Sequence, residues 1–136
     1  MITAVDTSIL LDIFFPDKRF AEGSAGLLKI AYDEGALLIC DVVYAELVPQ
    51  FKKRNLLDGT LGRLNISVSS LDLETAFLAG EKWGQYRQAG GKRERIITDF
   101  LIGAHALLKA DRFLTRDRGF YRSYFPDLPI LEALAT

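Results

Sequence analysis

The sequence has one cysteine, Cys40, and one histidine, His105. A lone cysteine cannot form an intrachain disulfide, which fits a reducing compartment, and its place at the end of an apolar run predicts a buried, unreactive thiol. Zinc hydrolases and histidine-dependent ribonucleases draw their chemistry from these two residue types. Their scarcity argues against both classes of enzyme.

The chain also lacks an excess of basic residues and lacks long hydrophobic runs. Its 17 Lys and Arg residues are balanced by 18 Asp and Glu residues, so any binding of RNA must be local. The longest nearly uncharged stretch, residues 100–108, is about half of what a membrane span needs. Residues 1–6 have no basic region and too short an apolar stretch for a signal peptide. We expect a cytoplasmic protein without a membrane partner.

Apolar residues make up 49% of the 136 residues, so one domain over residues 1–136 can bury a core unaided. Apolar runs predict strands at residues 2–5, 36–40, 66–68, 112–114 and 129–131, the last at an edge. Helical periodicity predicts helices at residues 9–15, 20–34, 41–53, 56–64, 72–89 and 97–109, and a helical turn at 120–124. We expect these side chains to cap helices: Thr7 or Ser8, Asp41 and Asp72. The alternation of strands and helices predicts a three-layer α/β/α sandwich with a parallel central sheet.

Four acidic residues fall where predicted strands end or predicted helices begin. Asp6 ends the first strand, and Asp117 follows the strand at residues 112–114. Glu46 lies in the first turns of the third helix, and Asp99 in the first turn of the helix at residues 97–109. Ligands of open parallel sheets bind outside the carboxyl ends of the strands, so the four acids are expected at one edge of the fold.

Four clustered carboxylates repel one another, because unit charges about 4 Å apart interact by about 4 kcal/mol at an effective dielectric of 20. Mg²⁺ or Mn²⁺ would relieve this repulsion, since hard cations prefer carboxylate oxygen and water. Three of the acids also have structural alternatives: Asp6 as an N-cap, Asp99 at the positive end of its helix, and Asp117 in a turn with Gly119.

The helix at residues 97–109 favours the functional interpretation of Asp99. It is otherwise apolar nearly all round, so a carboxylate there enters a buried element without a neighbouring partner in the sequence. Gly103 and Ala106 share the face of Asp99, and we expect their small side chains to let another backbone approach. His105, six residues after Asp99, faces away, which makes it a weak candidate for a general base.

Four segments of the chain resemble the signature blocks of PIN domains. They are AVDTSILLD at residues 4–12, VYAEL at 43–47, TDFLIGAHA at 98–106 and LTRDRGFY at 114–121. More narrowly, the chain is similar to VapC toxins of bacterial and archaeal toxin–antitoxin modules, from residue 2 to about residue 131. No single block is specific, but four blocks in the right order and spacing make the resemblance strong.

The resemblance implies a Mg²⁺-dependent ribonuclease that cleaves structured RNA, is inhibited by a co-expressed antitoxin, and forms a homodimer. The family's catalytic, metal-binding acids correspond to Asp6, Glu46, Asp99 and Asp117. The supporting hydroxyls of the family correspond to Thr7 or Ser8, and to Thr115. Some members have a fifth acid, where this chain has Gly119. The expected reaction is phosphodiester hydrolysis to a 5′-phosphate and a 3′-hydroxyl.

Basic residues bracket two of the four acids. Lys92, Arg93 and Arg95 precede Asp99, and four arginines surround Asp117: Arg112, Arg116, Arg118 and Arg122. Guanidinium groups suit phosphate, so a local basic rim would let RNA approach despite the near-zero net charge. The candidate RNA-binding residues are Arg93, Arg95, Arg116 and Arg118, with ordinary solvated surface charge as the alternative. Asp12 is expected to be an exposed helical acid, with a role in supporting the site residues as the alternative.

Two other functions stay open. A metal-dependent phosphatase of the haloacid-dehalogenase kind also uses an aspartate at the end of an early strand, but it expects an Asp two residues later, where this chain has Ser8. A catalytically inert PIN scaffold would bind RNA or a protein, and the presence of all four acids weighs against it. Apolar side chains in residues 77–86 and 100–108 exceed what one small sheet needs, which favours a homodimer.

Overall fold

A parallel four-stranded sheet forms the centre of the computed structural model, which describes residues 1–91 and 95–132. Its strands are β1 (Ile2–Val5), β2 (Ala36–Cys40), β3 (Ile66–Ser69) and β4 (Arg112–Leu114). The strand order is β3-β2-β1-β4, so the chain extends the sheet on one side of β1 and then crosses to the other. The predicted parallel sheet is confirmed.

Helices flank this sheet on both faces and complete the predicted α/β/α sandwich. They are α1 (Thr7–Phe14), α2 (Ala21–Glu34), α3 (Asp41–Phe51), α4 (Arg54–Arg63), α5 (Leu73–Gln88), α6 (Ile97–Lys109) and α7 (Arg118–Tyr124). The bounds of β1, β2, β4 and α6 agree with those predicted from the apolar pattern. None of the helices in the described ranges is long and apolar enough to cross a membrane.

The long helices α5 and α6 pack against each other, and a polar contact fixes their ends. Asp72 is the N-cap of α5, as expected, and its Oδ1 accepts a hydrogen bond from the Thr75 amide at 2.9 Å. Its other oxygen lies 2.6 Å from the Lys109 ammonium at the last residue of α6. One carboxylate therefore caps one helix and holds the cationic end of the next.

Two of the expected caps are wrong. Cys40 occupies the N-cap position of α3 without a side-chain hydrogen bond, and Asp41 is the first helical residue. The Asp41 carboxylate instead accepts a long 3.4 Å hydrogen bond from the Leu71 amide. Helix α1 begins at Thr7, and Asp6 is its N-cap, with its carboxylate accepting a hydrogen bond from the Thr7 amide at 2.8 Å.

The expected close approach of a backbone at Gly103 is also wrong. A Cβ atom added there would lie 2.5 Å from the ring of Phe125, so an aromatic side chain fills the space. The predicted edge strand at residues 129–131 is, in the described part, a single parallel bridge between Ile130 and Phe113. Two hydrogen bonds hold it, from the Phe113 amide to Pro129 at 2.8 Å and from Leu131 to Phe113 at 2.9 Å.

Candidate active site

The order in which the chain adds strands to the sheet reverses between β1 and β4, and ligands of such sheets bind at the carboxyl edge beside this point. Asp6 follows the last residue of β1, and its amide extends the sheet by donating to the Leu114 carbonyl at 2.9 Å. Asp117 lies three residues beyond β4, at the N-cap of α7. Strand order alone thus brings together two acids that are 111 positions apart in the sequence.

Helices α3 and α6 add the other two predicted acids. Glu46 and Asp99 line the same open cavity of about 530 Å³ as Asp6 and Asp117, and we call this cavity the acidic pocket. Its remaining lining residues are Thr7, Ser8, Leu11, Ile102 and Arg116. The structure therefore brings together all four acids that the sequence singled out, although they come from four separate segments.

Two threonine hydroxyls hold three of these acids. Thr7 donates to the Glu46 carboxylate at 2.7 Å, and Thr115 donates to the Asp6 carboxylate at 2.7 Å. The Thr115 oxygen also accepts a hydrogen bond from the Asp117 amide at 3.0 Å. Thr115 is fully buried, so it fixes the acids that follow β1 and β4 relative to each other.

The Ser8 hydroxyl, the third predicted supporting group, lines the acidic pocket without a hydrogen-bond partner in the part of the chain that the structure describes. Its oxygen is buried from solvent. Buried polar atoms normally have partners, so this orphaned hydroxyl marks a place where a polar ligand or water is accommodated.

Burial and like charge make ionisation less favourable for two acids of the acidic pocket, Asp6 and Asp99. Burial raises the pKa of Asp6 to about 6, and the negative charges of Glu46 and Asp99 add to the increase against the hydrogen bonds from Thr115 and Thr7. Burial also raises the pKa of Asp99, and the charge of Asp117 contributes. A cation bound in the pocket would offset both shifts, because a nearby positive charge favours the ionised carboxylate.

Arg95 supplies one positive charge to this group of acids. Its guanidinium pairs with the Asp117 carboxylate and lies 4.1 Å over the ring of Phe120. Its charge also opposes the rise in the pKa of Asp99. Arg93, another candidate for RNA binding, lies outside the described residues.

Arg116 has a structural partner that the sequence did not indicate. Its Nε lies 2.7 Å from one oxygen of Asp12, and its Nη2 donates to the other at 3.1 Å. Asp12 also accepts a hydrogen bond from Ser24 at 2.8 Å and is 3% exposed, so the expectation of an exposed acid is wrong. The partners are 104 positions apart, which no helical periodicity reveals.

Tyr121 is a further site residue that the sequence did not single out, although it ends the fourth signature block. The side chain is buried, and its hydroxyl donates to the Asp99 carbonyl at 3.2 Å. Burial, together with the nearby charges of Asp6, Asp99 and Asp117, raises its pKa well above the ordinary value. Tyr121 therefore stays protonated and supports the first turn of α6 through the Asp99 carbonyl.

The lone histidine and cysteine are placed as expected. His105 is 1% exposed and does not line the acidic pocket, and burial lowers its pKa, so it is a neutral core residue. Cys40 is also buried, and burial raises the pKa of its thiol. Both groups lack the accessibility that a nucleophile or general base needs.

The donor chemistry of the acidic pocket fits Mg²⁺ or Mn²⁺. Its potential ligands are carboxylate and hydroxyl oxygens, which hard cations prefer, and Asp6 sits in an excess of negative charge. Among residues 1–91 and 95–132, no three His, Cys, Asp or Glu side chains stand close enough to form a ready-made metal site. The acids share one pocket, but a cation would have to draw them closer.

Comparisons with known proteins agree with this fold. The sequence model of the PIN domain family matches residues 3–126, so the chain belongs to the PIN domain family. No curated protein matches the chain at a significant level.

Several solved structures share the fold over nearly the full length of both chains. A structure of VapBC2 from Rickettsia felis bound to a promoter DNA fragment has a chain with 21% identity and a TM-score of 0.71, covering 96% of this chain and 98% of its own. VapBC-1 from nontypeable Haemophilus influenzae gives 17% identity, a TM-score of 0.68, and coverage of 97% and 98%. A chain of DNA-bound VapBC from Salmonella typhimurium has 18% identity and a TM-score of 0.67, covering 96% of this chain and 97% of its own.

Proposed function

We propose that this chain is a Mg²⁺-dependent ribonuclease and the toxin of a toxin–antitoxin pair. The observation that carries the proposal is the convergence of Asp6, Glu46, Asp99 and Asp117 in one pocket at the switch point of a PIN fold. The structural neighbours are VapBC complexes, and one is described as a toxin–antitoxin complex from Klebsiella pneumoniae. A nuclease of this kind would act on cellular RNA in the cytoplasm, as one domain.

The chain's own residues would prepare the site for phosphodiester hydrolysis. When bound, Mg²⁺ would supply the positive charge that polarises a phosphoryl oxygen and acidifies water. The four carboxylates would hold it, Thr7 would fix the Glu46 oxygen, and Thr115 would fix Asp6. Preorganisation of this kind matters because a misplacement of about 1 Å can cost about a hundredfold in rate.

The phosphatase alternative has less support. An acid two residues after the first aspartate would be needed, and Ser8 lines the acidic pocket at that position. The inert-scaffold alternative does not account for the presence of all four acids in one pocket, where their like charges repel one another. Isothermal calorimetry with Mg²⁺ tests that alternative directly, since a scaffold without a metal site would give no binding heat.

The decisive experiment is the substitution Asp99→Asn. Asn retains the side-chain oxygen that accepts the 3.3 Å hydrogen bond from the Ile96 amide, so the start of α6 should survive. Loss of the negative charge should weaken Mg²⁺ binding and lower cleavage of total cellular RNA by about a hundredfold or more. The melting temperature without metal should stay constant or rise slightly, because repulsion within the pocket falls.

Asp33→Asn is the matched control, because Asp33 is an exposed helical acid that pairs only with Lys29 in the described structure. It should leave cleavage unchanged. His105→Ala should keep cleavage within severalfold of wild type, although removal of a buried side chain will lower the melting temperature. Full activity in Asp99→Asn, or equal cleavage by wild type in chelator, would refute the metal-dependent mechanism.

A further inference from the structure

A second, smaller cavity of about 190 Å³ adjoins the acidic pocket, and we call it the basic pocket. Arg116 lines both cavities, so they share a wall. Three arginines, one aromatic ring and two small residues of α2 contribute to the basic pocket: Arg19, Arg116, Arg118, Phe20, Gly23 and Ser24. Its lining therefore has the opposite charge from that of its neighbour.

In the part of the chain that the structure describes, two of these arginines have no carboxylate partner for their charge. Arg116 is held by Asp12 through two contacts, so its charge is largely compensated. Within residues 1–91 and 95–132, neither Arg19 nor Arg118 lies within ion-pair distance of an acid. The Nε atom of Arg118 is, moreover, buried and has no hydrogen-bond partner among these residues. Such a donor is expected to have a partner when the protein is engaged with its ligand.

Packing holds the shared wall of the basic pocket in place. The ring of Phe20 lies 3.9 Å from the Cζ atom of Arg116 and 5.4 Å from that of Arg19. Asp12, which fixes Arg116, is itself fixed by Ser24. The pocket is thus a preformed cavity in which a stacked, neutralised arginine forms the back and two uncompensated arginines remain available for an anion.

We propose that the basic pocket binds a backbone phosphate of RNA, adjacent to the phosphodiester that the four acids would process. This inference rests on the proposed nuclease function and adds a binding subsite to it. Guanidinium groups suit phosphate oxygens, and an RNA strand presents one phosphate after another at a regular spacing. A strand whose reacting phosphate lies in the acidic pocket would therefore bring a neighbouring phosphate to the shared wall at Arg116.

Binding of RNA in chelator tests the subsite without requiring cleavage. The probe is a fluorescein-labelled single-stranded RNA 12-mer of mixed sequence, measured by anisotropy over a range of salt concentrations. Arg19→Gln and Arg118→Gln should each weaken binding by about tenfold, since a charged hydrogen bond is lost. Each should also reduce the slope of log affinity against log salt by about 0.7, the value for one phosphate of a single strand.

Arg63→Gln is the matched control for loss of one positive charge. Arg63 is the last residue of α4, lies outside both pockets, and donates to Thr60 at 3.3 Å. It should change neither the affinity nor the salt slope beyond about twofold. Equal losses in all three variants would mean that RNA senses only total charge, and the subsite would be refuted.

A glycine pair on α2 provides a second test that removes no arginine. Gly23 lines the basic pocket and Gly26 does not, yet a Cβ atom at either position meets nothing within 4 Å. Gly23→Glu should therefore fold and place a carboxylate at the pocket, which would weaken RNA binding by about tenfold. Gly26→Glu, one turn further along α2, should bind RNA like wild type, and identical binding by the two variants would contradict the proposal.

Neutral methylphosphonate linkages show whether one phosphate is responsible. When a single neutral linkage is moved along the 12-mer, one position should abolish the difference between wild type and Arg118→Gln. A constant difference at every position would overturn the subsite. If the protein binds RNA in this pattern but does not cleave it, the nuclease proposal fails alone. If it cleaves RNA while all pocket variants bind and cleave like wild type, only the subsite fails.

Discussion

The carboxylate of Asp6 has both a structural and an electrostatic role. It caps α1 by accepting a hydrogen bond from the Thr7 amide, and it links the end of β1 to the residue after β4 by accepting one from the Thr115 hydroxyl. It also experiences the negative charges of Glu46 and Asp99. An N-cap with a raised pKa is unusual, because hydrogen bonds to an ionised carboxylate normally lower it. Burial and like charge therefore outweigh two short hydrogen bonds at this residue.

The raised pKa of Asp6 predicts how stability depends on pH when no metal is present. A carboxyl with a pKa of about 6 in the folded chain and an ordinary value in the unfolded chain is protonated more readily when folded. Its contribution to stability is complete below about pH 4 and is lost as the pH rises through about 6, a change of about 3 kcal/mol.

Asp6→Asn removes this dependence but leaves an oxygen for the cap. In chelator, the variant should gain melting temperature relative to wild type as the pH is raised from 4.5 to 7.5. Changed hydrogen bonding with Thr115 adds only an offset that is independent of pH. Thermal melts at a series of pH values measure the difference, and a gap that stays constant across the series would show that the Asp6 pKa is not raised.

At the scale of the elements, the strand ends and helix starts that form the site follow from the sequence. Apolar runs predicted β1 and β4, and the acids that follow them, Asp6 directly and Asp117 three residues later, predicted where the carboxylates would lie. The parallel sheet then required both acids to share an edge. Glu46 and Asp99 were predicted for the same reason, because α3 follows the carboxyl end of β2 and α6 approaches the same edge.

The sequence failed where the deciding contact was long-range. Nothing in the neighbouring sequence distinguishes Asp12 from an exposed acid of a helix, because its partner Arg116 is 104 positions away. The cap of α3 was missed because Asp41 turns toward Leu71, which belongs to the segment after β3. Pattern reasoning sees neighbours within a turn or a strand, whereas buried charges are placed by tertiary partners.

The Asp12–Arg116 ion pair links α1 to the segment between β4 and α7, and its removal has a predicted cost. Asp12→Ala should lower the free energy of unfolding by about 2 kcal/mol, because it leaves the half-exposed guanidinium and the Ser24 hydroxyl without their partner. The double variant Asp12→Ala/Arg116→Ala should lose less unfolding free energy than the two single variants lose together. Urea denaturation of all four proteins measures this coupling.

An exposed ion pair provides the comparison for that coupling. Lys29 and Asp33 lie 2.8 Å apart on α2 with side chains 76% and 56% exposed, so the same cycle there should give less than about 1 kcal/mol. A coupling between Asp12 and Arg116 as small as this would show that the pair does not hold the two elements together.

At the scale of the whole molecule, α5 presents apolar side chains to solvent. Leu73 is 88% exposed and Phe77, one turn later, is 71% exposed. Helix α6, which also entered the sequence argument, is mostly buried, with Leu108 38% exposed. Of these two helices, α5 therefore offers the more exposed apolar surface for self-association, in its first half.

We predict a homodimer that depends on this surface of α5. Phe77→Asp should convert the protein to a monomer at micromolar concentration, because a charge cannot be buried at an apolar interface without a partner. Light scattering after size exclusion measures the mass. Tyr32→Asp, at an exposed aromatic of α2, should leave the mass unchanged. A monomeric wild type would exclude the dimer at once.

Inhibition by an antitoxin should involve the same electrostatics as metal binding. Arg95 already pairs with Asp117 and stacks on Phe120, which indicates that a guanidinium can be accommodated beside one of the four acids. A basic side chain from an antitoxin could take a similar position, cover the acidic pocket and supply the charge that Mg²⁺ would otherwise bring. Two cations cannot both occupy the same carboxylates, so the antitoxin and the metal should compete.

If a short reading frame adjoins this gene, its product is the inhibitor to test. Its inhibition constant for RNA cleavage should rise in proportion to the Mg²⁺ concentration once that exceeds the metal's dissociation constant. Replacement of the inserted basic residue of the antitoxin by Gln should remove this dependence on Mg²⁺, while contacts of the antitoxin outside the acidic pocket are retained. Ionic strength must be held constant with NaCl, because added salt weakens charged interfaces without competition. Inhibition that stays equally strong at every Mg²⁺ concentration would mean that the antitoxin acts outside the four carboxylates, by blocking RNA from the pocket rather than by replacing the metal's charge.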